Sequence, residues 1–260
     1  MSRLAPTSDL DKIEAARLGF DPQVQPLVPL TTLPAIQQQL LTPEVVEQGL
    51  IQQVPWQIEP LFADEFVLDF AHYPQAKQAA VCIPVVSRVD GLYVLFTRRA
   101  GHLLHHPGQV CFPGGRIEPS DKTAIHAALR ETHEEIGIAS NYIQAISEEP
   151  IYITNSLYAM RPIVALVQPD FQLDKDPDEV AEVFEVPLAA LMDPKNHRLH
   201  HLPQRARAGR YYFSIQWQQH FIWGATAVVV RNLYHHLRAA THAYSQLLTN
   251  DLGTKRINKP

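Results

Sequence analysis

Three glutamates, Glu131, Glu134 and Glu135, follow a glycine turn, Pro113-Gly114-Gly115, inside the run from Phe112 to Ile138. At about 100° per helical residue, Glu131 and Glu135 fall within about 40° of each other and Glu134 about 60° to one side. Ile125, Ala128, Leu129, Thr132 and Ile136 fill the adjoining sector, so the spacing predicts a helix with an apolar stripe beside an acidic one. Carboxylates at i and i+4 sit about 6 Å apart and, at an effective dielectric of about 20, repel by on the order of 3 kcal/mol. Such a face calls for positive charge. Arg130 is the local source, and a hard divalent cation such as Mg²⁺ or Mn²⁺, which prefers oxygen ligands, is the other. A solvated charged face is the alternative reading. The glycine turn weighs against it, because Gly114-Gly115 permits positive φ and close backbone approach, suiting a loop whose carbonyl joins a metal or whose N–H groups meet a phosphate. Asp121 or Ser120 is placed to cap the helix and Gly137 to end it.

The run Gly115 … Arg130-Glu131-Thr132-His133-Glu134-Glu135-Ile136-Gly137-Ile138 resembles the Nudix box, G-x5-E-x7-R-E-U-x-E-E-x-G-U, where U is a bulky aliphatic residue. Fourteen residues separate Gly115 from Arg130, one more than that pattern has. The acid before the helix is therefore Asp121 when counted from the glycine, whereas counting back from the arginine reaches Lys122. Thr132 stands where an aliphatic is usual. The upstream run from Leu95 to Gly115 is similar to the signature that precedes the box in the coenzyme A diphosphatase branch, which shares the longer box. Asp178–Leu188 and Phe221–Ala227 resemble its downstream segments, and Leu104 occupies a position where that branch usually carries arginine. The resemblance spans about residues 78 to 240.

This resemblance implies an α/β fold, a Nudix-type α/β/α sandwich with a mixed sheet. It also implies a metal-dependent hydrolase in which water attacks phosphorus of a diphosphate linkage. The substrate implied is coenzyme A or an acyl derivative, cleaved to 3′,5′-ADP and a phosphopantetheine product. Mg²⁺ or Mn²⁺ would be held by Glu131 and Glu135, with Glu134 joining directly or through water and the Gly115 carbonyl completing the shell. Arg130 would orient the glutamates. The base is either Glu131 or a glutamate from a later loop, for which Glu179 and Glu182 are the candidates; an ordinary acidic loop is the plainer reading of that pair. Arg98, Arg99, His106 and the Gly114 N–H are the candidate substrate contacts, although strand alternation turns at least one of the two arginines away. ADP-ribose, other nucleoside diphosphate derivatives and dinucleoside polyphosphates are rival substrates. A binding module without turnover is the rival from another class, and retention of all three box glutamates argues against it.

The elements that must position these residues are legible in part. Ala79–Val86 and Leu92–Thr97 read as a hairpin around Asp90-Gly91. Further strands are expected near Ile143–Ile153, Arg161–Val167, Glu182–Val186 and Tyr211–Trp217, with a closing helix over Ala225–Leu248. Residues 1–76 contain nine prolines between short helical patterns, one of them Thr42-Pro43 at a helix start. They read as a helical N-terminal extension that covers the main domain or makes a homodimer contact, preceding a hydrolase domain over 77–250 and a tail over 251–260. A net charge of -5 without a basic block argues against a general nucleic-acid binder. Two cysteines, Cys82 and Cys111, do not make a disulfide framework. With no span-length apolar run and no signal core, the expectation is a cytoplasmic protein acting on a small nucleotide-derived substrate. The histidine groups at 102, 105 and 106 and at 197, 200 and 201 lack the partners and spacing of a zinc site.

Overall fold

The computed structural model describes residues 20–52, 54–154, 156–201 and 211–257. Its strands are β1 (Leu27–Val28), β2 (Phe66–Val67), β3 (Lys77–Arg88), β4 (Gly91–Arg99), β5 (Val110–Cys111), β6 (Gly114–Arg116), β7 (Ile143–Glu148), β8 (Ile151–Ile153), β9 (Tyr158–Val167), β10 (Val180–Pro187), β11 (His197–His201), β12 (Tyr211–Trp217) and β13 (His220–Trp223). The helices are α1 (Pro43–Ile51), α2 (Ala124–Ile136), α3 (Leu188–Leu191) and α4 (Ala225–Ile257).

Alternation in β3 decides the layering. Ala80, Cys82 and Val86 face α2 and pack with Ala127, Ala128 and Ile136. Val81, Ile83 and Val85 face the other way, into a core shared with Phe96, Phe213 and Tyr234. Both faces of the strand are thus buried, which is why β3 reads as a nearly unbroken apolar run. The central sheet has the order β10-β4-β3-β9-β8-β2, and β5, β6 and β7 attach to β4, β3 and β9. β3 and β9 run parallel while their other neighbours are antiparallel, so the sheet is mixed. Helix α2 covers one face; a second antiparallel sheet, β1-β11-β12-β13, and α4 lie on the other.

The expected hairpin is present with its tip one residue earlier. Arg88 pairs with Gly91, leaving Val89-Asp90 at the tip, because the register aligns Val85 with Val94 on the same buried face. The expected single strand over Ile143–Ile153 is two strands, both paired with β9 and separated at Glu149-Pro150. Residues 20–76 contribute to both sheets through β1 and β2. Thr42 caps α1 by accepting from the Val45 N–H, with Pro43 in the first turn. Close packing of α1 on α4 requires Gly49, since a Cβ there would come within 2.6 Å of Ala240 Cβ. The later histidine group is spent on structure: the His197 ring bonds to the Leu191 carbonyl, and His200 lies between the Gln25 carbonyl and Ser214 Oγ. Trp223 packs against Tyr212 and Phe20.

Candidate active site

Helix α2 carries the acidic face, and its ends are set by local chemistry. Thr123, rather than Asp121 or Ser120, is the N-cap: its side chain accepts from the His126 N–H at 3.1 Å. Asp121 is withdrawn from capping because both its oxygens are engaged by Arg130 and one also accepts from the Glu118 N–H. Gly137 ends the helix in the left-handed region at φ 77°, where a side chain would also collide with Asp174. Thr132 stands on the fully buried face and satisfies its hydroxyl on the Ala128 carbonyl at 2.6 Å. That bond explains how a hydroxyl is tolerated among aliphatic neighbours.

Arg130 ties the preceding loop to the acidic face. It donates from Nε to Asp121 Oδ1 at 3.2 Å and from Nη2 to Asp121 Oδ2 at 3.0 Å, a two-pronged pair. It also reaches Glu134 at 2.7 Å, Glu131 at 3.1 Å and the Arg116 carbonyl at 3.1 Å. The Arg130 hydrogen bonds hold the Asp121 carboxyl at about 2, well below the ordinary carboxylate range. The acid before the helix is therefore the one counted from the glycine, Asp121.

The glycine turn closes over the same face. Gly114, at φ 150°, pairs with Val81, and a Cβ there would lie 2.6 Å from Val81 Cα. Its N–H donates to Glu135 Oε2 at 3.3 Å. At Gly115 a Cβ would come within 2.5 Å of the Glu131 carboxyl carbon, so the missing side chain makes the space that this carboxylate occupies. Glu135 is only 3% exposed. Burial, and then the Glu131 charge, push its carboxyl up to about 8; the nearby Glu179 adds to the rise and Arg99 opposes it. Burial also raises Glu131, with Glu134 and Glu179 contributing and Arg130 opposing.

The structure thus sets Gly114 against Glu135 and Gly115 against Glu131, with Glu179 and Arg99 near enough for their charges to act on these carboxyls. Glu134 is more than half exposed and engaged by Arg130. Arg98 and Glu182 are not in the cluster. They form a cross-strand ion pair of 2.9 Å on the opposite face, closed by His220 at 3.0 Å from Glu182. Strand alternation accounts for the division, since Arg99 and Leu95 share the α2 side while Arg98 follows Phe96. His106 lies exposed in the loop 101–109, at φ 55°. That loop folds back on Arg99, which donates from Nε to the His105 carbonyl and from its backbone N–H to the Gln109 carbonyl. Cys111 beside it is raised to about 11 by burial and then by Glu135.

Among the described residues, no group of three or more His, Cys, Asp or Glu side chains stands at metal-binding distances. The donor set nevertheless suits a hard divalent cation. Glu131 and Glu135 are oxygen donors whose mutual repulsion a cation would reverse, and Gly115 leaves no side chain between backbone and carboxylate.

The NUDIX domain model matches residues 76–207, just over half the chain. The chain belongs to the Nudix family. It is a Nudix hydrolase, a family that generally uses divalent metal cations. Relatives described as uncharacterized Nudix hydrolase NudL agree with it: one from Enterobacter sp. (strain 638) is 40% identical over 159 residues, covering 60% of this chain and 81% of that protein. Another from Escherichia coli (strain K12) is 39% identical over 158 residues, covering 60% and 81%. Among solved structures, a C. elegans Ap4A hydrolase binary complex is 17% identical with a TM-score of 0.37, covering 42% of this chain and 80% of that one. That likeness is too loose to bear on substrate.

Sequence reasoning about this Nudix site missed the Thr123 cap and the closure by residues 174–180. There the Asp174 and Asp176 N–H groups donate to the Ile136 and Glu135 carbonyls, and the Glu179 carbonyl accepts from the Ala100 N–H. Thr123 was readable as a cap signal about two turns before the acidic face. The backbone closure leaves no side-chain signature.

Proposed function

We propose that this Nudix hydrolase cleaves the diphosphate of coenzyme A or acyl-coenzyme A to 3′,5′-ADP and a phosphopantetheine product. The observation that carries the substrate is the run Leu95–Gly115, similar to the coenzyme A diphosphatase signature; its loop is fastened to Arg99, whose charge acts on Glu135. Mg²⁺ or Mn²⁺ would be held by Glu131 and Glu135, with Glu134 and the Gly115 carbonyl, and would neutralise charge building on the nonbridging oxygens. Arg130 positions the glutamates and Arg99 offers a cation to a substrate phosphate. Water oxygen bonds to phosphorus, the bridging P–O bond breaks, and the water proton passes to a carboxylate. Glu179 is the better-placed later-loop base, because Glu182 is already held by Arg98 and His220. Gly114 and His106 complete the proposed substrate contacts.

Leu104 supports a second reading, ADP-ribose or a dinucleoside polyphosphate. It is 76% exposed and offers no charge where the coenzyme A branch usually carries arginine. A panel of coenzyme A, ADP-ribose, NADH and diadenosine polyphosphates, each with Mg²⁺ or Mn²⁺, separates the two. Preferential turnover of coenzyme A is expected; preference for ADP-ribose would overturn the substrate, and no turnover in either metal would overturn hydrolysis itself.

A further inference from the structure

A cavity of about 1000 Å³ lies between residues 28–61 and α4, and none of the box residues lines it. One wall is apolar, including Leu33, Ile58 and Leu61. The other is a single stripe of α4, Arg231, His235, Arg238 and His242, whose spacing of three and four residues places them on one helix face.

The floor of this cavity is a built charge cluster. Glu59 and Arg231 are 5% and 4% exposed and pair at 2.7 Å, with His235 at 3.0 Å from the same carboxylate oxygen. Burial alone would raise Glu59, but the hydrogen bonds from His235 and Arg231 outweigh it and hold the carboxyl at about 2. Arg231 is further occupied by the His197 ring and by the faces of Phe213 and Tyr234. The floor is therefore satisfied and attracts nothing more. Two turns along the helix from Arg231, Arg238 lines the cavity exposed, with no carboxylate at ion-pair distance among the described residues. An apolar wall facing a guanidinium unmatched among the described residues suits a molecule with an apolar body and one anionic end. The cavity volume lies at the upper end of the range for small-molecule sites, about 300–1,000 Å³.

We propose that this cavity is a ligand site separate from the hydrolytic centre and takes an amphipathic anion: an aliphatic chain against Leu33 and Ile58, with its carboxylate on Arg238. The occupant follows from charge complementarity, because a wholly apolar guest would leave Arg238 unused and a small inorganic anion would leave the apolar wall wet. Calorimetric titration of the full-length chain with decanoate, decanol and acetate tests it. Decanoate should bind one to one, and acetate and decanol much more weakly. Arg238→Gln, at an exposed position, should weaken decanoate at least ~10-fold, and Ala239→Phe, which fills the cavity, should abolish binding. Absence of decanoate binding, equal affinity for decanol, or binding retained in Arg238→Gln would each overturn the proposal. Should Ala239→Phe fail to fold, Arg238→Gln decides alone. None of these readouts depends on which diphosphate is hydrolysed.

Discussion

Two clusters of carboxylate and arginine are built in this molecule to opposite charge balances. Around α2, Asp121, Glu131, Glu134, Glu135 and Glu179 share Arg99 and Arg130, and Arg130 is already matched by Asp121. Around α4, Glu59 alone lies between Arg231 and His235. Burial acts on both, yet Glu135 is pushed up to about 8 while Glu59 is held at about 2. The difference is the count of cations within reach. Where positive charge is complete, the cluster is a clamp that fastens residue 59 to the C-terminal helix. Where it falls short, negative charge is left over, and it is there that the proposed metal ion would act.

The hardest way to break this contrast is to remove the clamp's cation. Arg231→Met should cost about 3–5 kcal/mol, since it leaves a buried carboxylate unpaired. Urea unfolding measures it, and an unchanged midpoint would end the clamp reading. The same pair predicts a pH dependence. Because the folded Glu59 value lies below the ordinary carboxylate value of about 4.3, its stabilisation is present above that pH and is lost as pH falls towards about 2. Thermal melts over that window should show a smaller loss in Arg231→Met.

Glu135→Gln comes next and should act in the opposite sense on folding. Hydrolysis should fall at least ~100-fold, about 2.7 kcal/mol. Without added metal, however, the variant should melt no lower than the parent at neutral pH. A carboxyl raised to about 8 makes the parent lose stability as pH rises from about 4.3 to that value, and glutamine removes this loss. Mn²⁺ should raise the parent's midpoint more than the variant's; equal gains would show that Glu135 is not a ligand. Thr123→Ala is the smallest test. Loss of the cap should cost about 1 kcal/mol, read by chemical denaturation, and leave the charge difference between the clusters intact.

The acidic face was legible because helix geometry converts spacing into position without help from the rest of the chain. Glu131, Glu135 and Gly137 sit where a period of 3.6 puts them, and the strand pattern of Ala79–Val86 reads directly as β3. The hairpin tip follows the cross-strand register, and the expected Asp121 cap is lost to competing bonds, neither of which a local pattern contains. Asp121 illustrates the point: as a residue type it is a good cap, but Arg130, nine positions later, takes both its oxygens.

What the sequence determined by itself is the local set: an amphipathic acidic helix, a glycine turn before it, and two adjacent arginines on a strand. Only the tertiary structure decided which of those arginines is tied up in an ion pair away from the acidic face. The Arg99 charge acts on Glu135, whereas Arg98 is claimed by Glu182, 84 positions away, and Glu59 is claimed by Arg231, 172 positions away. Charge balance is a sum over groups brought together by packing, and that sum exists only once strands and helices have been placed side by side.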